Sequence, residues 1–447
     1  MSQRDTIVAI ATAPGRGGVG IIRLSGAEAH RIARQVVPEL PPVRYARHVP
    51  FLDAQANDSI DDGLCIVFVA PHSYTGEDVV ELQGHGGPVV LDRLLNILLK
   101  LGARLARPGE FTERAFLNGR IDLAQAEAVA DLIDASSQAA AHAASRALRG
   151  IFSERVTAIT TALIELRVYI ESALDFPEEE IDFLSDSRLW ERNQQLLHDL
   201  ATLLAQTQQG VLLREGMRIA IIGQPNAGKS SLLNQLAGED RAIVTDIPGT
   251  TRDVLRAEIQ IDGLPIHIID TAGLRHSDDP IEQEGIRRAW LEIDQADAIV
   301  LLRDDRDHFS LDDQKLLAQM PQKPMVEVHN KIDLTGNTAG LNPANNTINI
   351  SAKTGAGLPE LRNHLKQLMG YQSTDGGQFI ARRRHLDALT AAQTEIAAAL
   401  TALTQTQAGE LAAESLRRAQ IALDQITGKF TADDLLGEIF SNFCIGK

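Results

Sequence analysis

Cysteine is nearly missing from this chain of 447 residues, which has only Cys65 and Cys444. Two thiols so far apart exclude a disulfide framework and a paired-cysteine metal motif, and they fit a reducing compartment. Aromatic residues are also scarce, at 4%. Alanine is abundant instead, above all after residue 121, which favours close-packed helices. Long apolar runs are lacking too, and none could span a bilayer. The apolar start "TIVAIATA" is short, follows Arg4 and Asp5, and meets Pro14-Gly15 at once. It reads as a strand entering a turn, not as an export signal. The terminal "CIGK" carries the cysteine of a prenylation box but ends in Lys447, which is not among the usual last residues. A cytoplasmic protein with no membrane partner is expected.

A surplus of basic charge is likewise absent. A formal net charge of −17 excludes broad, nonspecific nucleic-acid binding, because phosphate contacts need clustered Lys and Arg. A local patch remains open, and "ARRRH" (381–385) is the densest. That stretch is read as the start of a helix, where its cations oppose the macrodipole. The acidic run "PEEEID" (177–182) reads as a solvated loop.

What the chain does have is an ordinary globular balance, 44% hydrophobic and 23% charged, with length for two to four domains. Residues 1–120 mix strand-like "TIVAIATA", "VGIIRLSG", "GLCIVFVA" and "DVVELQG" with the helix "GPVVLDRLLNILLKLG", which indicates a compact α/β domain. From Asp122 the texture becomes helical. "DLAQ" places Asp122 as an N-cap with Gln125 closing a capping box. Three helices follow, "AEAVADLIDASSQAAAHAASRAL", "SERVTAITTALIELRVYIESAL" and "SRLWERNQQLLHDLATLLAQTQ", punctuated by Gly150, Pro177 and Gly210. Strands and helices alternate again over 216–371. After the polar "YQSTDGGQ", helical texture resumes over 372–447. The simplest arrangement is an all-α bundle, 121–215 with 372–447, interrupted by an inserted α/β domain at a surface where chain ends lie close.

The inserted segment carries the most specific motifs. "MRIAIIGQPNAGKSSLLNQLAG" is a strand, a glycine-rich loop and a helix, and Gly223, Gly228, Lys229 and Ser230 satisfy G-x-x-x-x-G-K-[ST]. In such a P-loop, backbone N–H groups of Asn226, Ala227, Gly228, Lys229, Ser230 and Ser231 close around phosphates, Lys229 reaches the β/γ oxygens and Ser230 ligates Mg²⁺. "NKID" offers Asn330, Lys331 and Asp333. The Asp333 carboxylate can accept from guanine N1–H and the 2-amino group together, a donor pair adenine lacks. "SAKTG" adds Ser351, Ala352 and Lys353 around the base. "DTAG" places Asp270, Thr271, Ala272 and Gly273 at the magnesium and γ-phosphate side. "TDIPGTTRD" supplies a switch loop of Thr245, Asp246, Ile247, Pro248, Gly249, Thr250 and Thr251, with Thr251 as a magnesium ligand once triphosphate orders it. These five motifs, running along the chain as P-loop, switch loop, DTAG, NKID and SAKTG, mark a GTP-binding, doubly wound P-loop domain.

One expected group is missing. After D-x-x-G, familiar small GTPases have a glutamine that orients water; here Leu274 can neither donate nor accept a hydrogen bond. An arginine finger alone contributes about 10³–10⁵ in rate, so a substitute is required. Asn226 is one candidate, its amide oxygen holding a monovalent cation, or else it only shapes the loop. Arg252 and Arg275 are candidate fingers, or ion-pair partners. Glu282 is a candidate to place the water, or an exposed carboxylate.

The whole chain resembles the MnmE (TrmE) tRNA-modification GTPases. The resemblance is carried by "DTIVAIATAPGRGGVGIIRLSG", "SYTGEDVVELQGHGGPVVLD", "RPGEFTERAFLNGRIDLAQAEAVADLI", "GQPNAGKSSLLN", "TDIPGTTRD", "DTAGLR" and "FCIGK". It implies a homodimer joined through N-terminal domains, each binding a tetrahydrofolate derivative, 5-formyl or 5,10-methylene, as one-carbon donor. It implies an FAD-dependent partner, MnmG (GidA), and tRNA modified with a carboxymethylaminomethyl group at C5 of the wobble uridine. It further implies K⁺ held by Asn226, Thr245, Ile247 and Thr250 in place of a finger, with Glu282 positioning water. The folate site implied is Arg23, Glu81, Arg120 and Lys447. Arg120 stands where the family often has Lys, keeping charge but changing hydrogen-bond geometry. His276 stands where the family often has Glu, so Glu282 rests on spacing. Alone, Cys444 reads as a buried small residue on the last helix; the family makes it reactive or site-lining. A rival reading, a regulatory or ribosome-assembly switch, shares every nucleotide motif but needs neither the N-terminal domain nor "FCIGK".

Overall fold

The computed structural model describes residues 5–53, 58–175, 187–239, 256–270, 280–307, 314, 317–343, 347–371, 379–406, 408–429, 433–441, 443–444 and 446. The chain groups into two compact units. One comprises Met1–Ala130, Val156–Arg167 and Ala413–Lys447, the other Asp131–Arg155 and Val168–Ala412. Among the described residues no helix is long and apolar enough to cross a membrane.

The first unit is built on a six-stranded sheet. Its strands are β1 (Ile7–Ile10), β2 (Gly17–Ser25), β3 (Arg47–Asp53), β4 (Asp58–Phe68), β5 (Val79–Gly86) and β6 (Arg104–Leu105), ordered β3-β4-β5-β2-β1-β6. Side chains alternate between the two faces of a strand, and β1 shows what that does. Val8 joins a core with α1 (Ala29–Ala33) and α2 (Pro88–Lys100), whereas Ile7 and Ala9 meet Ala106 and Phe111 of α3 (Glu110–Leu117) on the other side. Cys65 lies within the first of these cores, and burial pushes its thiol up to about 12. Strand β3 and helix α1 had no signal of their own in the sequence reading. The capping box is formed: Asp122 Oδ1 accepts from the Gln125 N–H at 2.8 Å, and Gln125 Oε1 from the Asp122 N–H at 3.0 Å, opening α4 (Leu123–Ile133).

The "AEAVADLIDASSQAAAHAASRAL" stretch is two helices, not one. Helix α5 (Gln138–Leu148) restarts after Ser137, whose Oγ accepts from the Ala140 N–H at 3.1 Å. A serine at the N-cap satisfies one of the first-turn N–H donors that a new helix start leaves unpaired. Gly150, at φ +91°, then separates α5 from α6 (Ile151–Asp175). Gly210 stops nothing, contrary to expectation, since α7 (Ser187–Glu215) runs through it. A Cβ there would stand 2.3 Å from the Phe379 carbonyl oxygen, so the glycine permits close packing. Pro177 and the acidic run 177–182 lie outside the described residues.

The second unit holds a seven-stranded sheet. Its strands are β7 (Met217–Gly223), β8 (Arg256–Ile261), β9 (Leu264–Asp270), β10 (Ala298–Asp304), β11 (Met325–Asn330), β12 (Gly340–Asn342) and β13 (Thr347–Asn349), ordered β12-β13-β11-β10-β7-β9-β8. The central pairs are parallel and the two edge pairs, β8 with β9 and β12 with β13, antiparallel. Alternation covers both faces. Ile219, Ile221, Val300 and Leu302 pack with α8 (Lys229–Glu239) and α10 (Leu358–Leu368); Ala220, Ile222, Ile299 and Leu301 pack with α9 (Pro280–Gln295). This is the expected doubly wound arrangement.

The basic stretch 381–385 does open a helix, α11 (Arg383–Thr401). Asp131 accepts from Arg382 Nη2 and from Arg214 Nε, each at 2.9 Å, so a buried carboxylate offsets the charge at the helix start. His385 is buried beside Phe152 and accepts the Arg382 N–H through Nδ1 at 3.1 Å. Two further helices, α12 (Gly409–Thr427) and α13 (Asp433–Ser441), end the chain. In the first unit, Ile439, Phe440 and Phe443 pack against Leu123 and Ala126.

Helix α3 begins with a buried carboxylate that serves three arginines. Glu110 accepts from Arg104 Nη2 at 2.7 Å, the Arg107 N–H at 2.8 Å and Arg114 Nη2 at 3.0 Å. Burial alone would raise its pKa, but these donors outweigh it and bring it down to about 2. A depressed folded-state pKa adds stability above the unfolded value near 4.5 and loses it as pH falls through the folded value. The first unit should therefore lose stability between about pH 4.5 and 2. Glu110→Gln should cost on the order of 3 kcal/mol at neutral pH and flatten that loss in denaturant titrations at stepped pH.

Candidate functional site

The end of β7 and the start of α8 enclose a loop with two residues at positive φ, Asn226 at +65° and Gly228 at +99°. Left-handed backbone at these points turns consecutive N–H groups inward, which makes a nest for anions. Only glycine fits at 228, since a Cβ would come within 2.3 Å of Asn330 Nδ2. Lys229 Nζ donates to the Gly223 carbonyl at 2.8 Å and the Gln224 carbonyl at 3.3 Å, holding the loop's own acceptors where phosphate oxygens would compete. Ser230 and Asn226 are exposed.

Opposite the loop, Asn330 is 2% exposed and faces two ways. Its Nδ2 donates to the Ala227 carbonyl at 2.8 Å, and its Oδ1 accepts from the Ala352 N–H at 2.9 Å. Lys331, itself left-handed at φ +70°, donates from Nζ to the Asn226 carbonyl at 2.6 Å. Asp333 is exposed and its Oδ1 accepts from Ser351 Oγ at 2.7 Å, leaving Oδ2 and the carboxylate edge for a ligand. Lys353, which closely follows Ser351 in sequence, is exposed. Three motifs, the phosphate loop far in sequence from the other two, are thus joined by side-chain hydrogen bonds before any nucleotide is considered.

A layer behind this one was not read from the sequence. Asp304, at the end of β10, accepts from Lys331 Nζ at 2.8 Å and from Arg306 Nη2 at 2.7 Å. The hydrogen bond from Arg306 holds its carboxyl well below the ordinary carboxylate range against the opposing effect of burial, and Lys331 adds to this. Asp305 accepts from Asn337 Nδ2 at 2.7 Å, binds Thr335 Oγ1, and meets His329 Nδ1 at 3.2 Å. Its pKa is lowered: burial pushes upward, but Thr335, Asn337 and His329 prevail. The only hint was an Asp-Asp pair closing an apolar strand.

In the first unit, Arg23 and Glu81 face each other across β2 and β5, with Nε to Oε1 at 2.9 Å. The Arg23 guanidinium lies 5.6 Å from the Tyr74 ring centroid and 5.7 Å from that of Phe111. Its Nη1 reaches the Gly446 carbonyl at 3.5 Å. Nearby, the Gly109 N–H donates to the Cys444 carbonyl at 3.3 Å. Gly446 fits only as glycine, because a Cβ would stand 2.3 Å from the Ile10 carbonyl. Gly446 therefore lies against the first sheet of the chain. Arg120 is exposed beside Gly76, in the loop that carries Tyr74. Cys444 departs from the reading made from residues alone: it is exposed and lies beyond the end of α13. Tyr74 and Phe111, the ring pair around Arg23, were also missed.

Two family models match. The MnmE helical domain matches residues 123–444 and the GTP-binding protein TrmE N-terminus matches residues 6–120. The chain belongs to the MnmE/TrmE family of tRNA-modification GTPases. Its P-loop domain is accordingly one that binds GTP. Among solved structures, the chain is similar to Era of Aquifex aeolicus bound to GDP·AlF4⁻, at 26% identity over 40% of this chain and 66% of that one, TM-score 0.28. It is also similar to the G domain of the T. maritima FeoB iron transporter, at 25% identity over 34% of this chain and 98% of that one, TM-score 0.28.

Several residues expected from the family lie outside the described ones: Thr245, Asp246, Ile247, Pro248, Gly249, Thr250, Thr251, Thr271, Ala272, Gly273, Leu274 and Lys447, with Arg252, Arg275 and His276. Asp270 ends β9, and Glu282 stands in the first turn of α9.

Guanine selectivity should reside in Asp333. Asp333→Asn should weaken GTP binding by on the order of 3 kcal/mol, the loss of a charged bidentate contact, and improve binding of xanthosine triphosphate. Fluorescent-nucleotide titration checks both, and equal GTP affinity in the variant would mean that Asp333 does not contact the base.

Proposed function

We propose that this chain is a potassium-dependent GTPase that works as a homodimer with an FAD-dependent MnmG (GidA) partner. Together they form the carboxymethylaminomethyl group at C5 of the wobble uridine of certain tRNAs, with a tetrahydrofolate derivative as one-carbon donor. In this reading residues 1–120 bind folate and dimerise, 121–215 and 372–447 form the helical domain, and 216–371 bind nucleotide. One observation supports it above the rest. Cys444 meets the Gly109 N–H just before α3, Gly446 lies against Ile10 of β1 and Arg23, and a plain nucleotide switch has no use for such an arrangement.

The residues present fit the groups required. The nest around Gly228 has no Cβ to crowd phosphate oxygens, because Asn330 Nδ2 stands where a Cβ would be. Lys229, now on loop carbonyls, would transfer its ammonium to the β/γ oxygens. Ser230, exposed in the first turn of α8, would give its hydroxyl to Mg²⁺ together with Thr251, on the side of Asp270. Potassium bound between Asn226, Thr245, Ile247 and Thr250 would supply the positive charge that a finger supplies elsewhere. Asn226 is exposed and its backbone carbonyl is engaged by Lys331, so its side-chain oxygen is the group left to ligate. Glu282 would hold the attacking water that Leu274 cannot.

At the other site a bound tetrahydrofolate supplies the one-carbon unit. Arg23 keeps Nη2 for a carboxylate or pterin oxygen, because Glu81 takes Nε, Nη1 makes a long 3.5 Å contact to the Gly446 carbonyl, and the two rings hold the guanidinium plane. Glu81 keeps Oε2 toward pterin N–H groups, shared with a long contact from Gln83 at 3.4 Å. Arg120 and Lys447 would meet the anionic tail, and Cys444, close to Lys447 in sequence, is exposed.

Hydrolysis should be fast in KCl and slow in NaCl, and Asn226→Ala should lose the potassium response while keeping most nucleotide affinity. Glu282→Ala should slow turnover without preventing dimerisation. Wild-type turnover indifferent to the cation would overturn the ion reading and bring Arg252 or Arg275 forward.

Nucleoside mass spectrometry of tRNA from cells lacking the chain should show the wobble modification gone. A chain lacking "CIGK" should fail to restore it, with weakened folate binding and potassium-stimulated hydrolysis near normal. Unchanged wobble uridines in the null cells would leave the switch reading in its place.

A further inference from the structure

The nucleotide motifs account for Asn330, Lys331 and Asp333, but not for the carboxylate behind them. Asp304 is buried at the end of the central strand β10, with 6% exposure. Every charged group the structure puts on it is a cation: Arg306 through Nε, Nη2 and its backbone N–H, and Lys331 through Nζ. Lys331 has a second contact, to the Asn226 carbonyl at 2.6 Å. Asp304, Lys331 and Asn226 are therefore one chain of contacts, from strand to base-side loop to phosphate loop. Both loop residues are non-glycine residues at positive φ, 65° and 70°. Such backbone persists where its surroundings hold it, and here the Lys331 ammonium is the holding group.

We infer that Asp304 is a positioning residue that, through Lys331, fixes the Asn226 backbone and so sets the monovalent-cation requirement of the GTPase. The inference rests on the cation reading of Asn226 proposed above. The argument is geometric. An ammonium has three donors and no fixed plane, so a lone Lys331 could serve Asn226 or solvent equally. A buried carboxylate on its far side removes that freedom and pins Nζ within reach of one carbonyl. The Asn226 side chain leaves the same backbone whose carbonyl is pinned, so its oxygen is presented in one direction. Arg306 completes the Asp304 charge and is hydrogen-bonded to neither loop among the described residues, facing the base-side loop only through the charge of Asp333, so its role is separable.

The test is Asp304→Asn, which keeps shape and removes charge, measured two ways. GDP affinity is read by fluorescent-nucleotide titration in potassium-free buffer, and the potassium concentration for half-maximal GTP hydrolysis is read separately. Asp304→Asn should weaken GDP binding and raise half-saturating potassium by about tenfold, within the usual range of coupling between sites. In an Asn226→Ala background the same change should add nothing to the potassium dependence while still weakening GDP binding. Arg306→Ala should leave the potassium requirement where it is. Should Asp304→Asn not fold, Lys331→Met breaks the same chain of contacts from the exposed end and should give the same potassium shift. Unchanged GDP affinity and potassium requirement in Asp304→Asn, or an equal shift in Arg306→Ala, would overturn the inference while leaving the potassium reading intact. A wild-type chain indifferent to potassium would instead bring down the cation reading itself.

Discussion

The nucleotide site depends on a single buried amide. Asn330 is the only side chain found to bond both the phosphate loop and the "SAK" turn among the described residues, through Ala227 and Ala352. A side-chain amide that is 2% exposed has no water to turn to, so both bonds have to be made. Their geometry sets the distance between the two loops and therefore the width of the slot for a base and its phosphates. The glycine at 228 follows from the same constraint, because the amide occupies the volume where any Cβ would be. Loop, base motif and turn are each recognisable separately; what makes them one site is that the amide has a donor and an acceptor at opposite ends.

The first unit is organised by carboxylates that hold arginines rather than by an amide that holds backbone. Glu110 gathers Arg104 and Arg114 with the Arg107 N–H, and Arg114 passes on to Glu77, which also takes Ser25 Oγ. Glu81 orients Arg23 between Tyr74 and Phe111. Phe111 directly follows Glu110 at the start of α3, so the network that anchors the helix also sets one of the two rings. Charge pairs this enclosed leave their remaining donors pointing in few directions, which is what recognition of an anionic, planar ligand requires.

Legibility in the sequence followed the range of the signal. Strands β1, β2, β4 and β5, helix α2 and the capping box at Asp122 are written in local periodicity and in a three-residue spacing, and they were readable. The nucleotide loops were readable for a different reason, since their residue types are dictated by phosphate and guanine chemistry. Gly210 was misread because a glycine demanded by a neighbouring carbonyl looks the same as one that ends a helix. The break at Ser137 was missed because the alanine pattern continues on both sides of it. Asp304, Tyr74 and Phe111 were beyond reach, because their importance lies in what they touch across large sequence separations. Arg23 and Glu81 entered through family resemblance; that they pair with each other is visible only in the register of β2 against β5.

These two kinds of construction bear on how binding and turnover are divided. The contacts that shape the base and phosphate loops are made within one chain, by Asn330, Lys331, Ser351 and Lys229, and they are complete without any ligand. Affinity for a guanine nucleotide is then a property of the single folded chain. Hydrolysis asks for two more things, neutralised charge at the β/γ bridge and a placed water, and Leu274 can give neither. On the proposed reading both come from elements that need a partner copy, an ion or a triphosphate to take position. A GTPase arranged in this way stays loaded when alone and turns over only in an assembly. That behaviour suits an enzyme that must couple nucleotide use to another reaction better than it suits a timer that must run by itself.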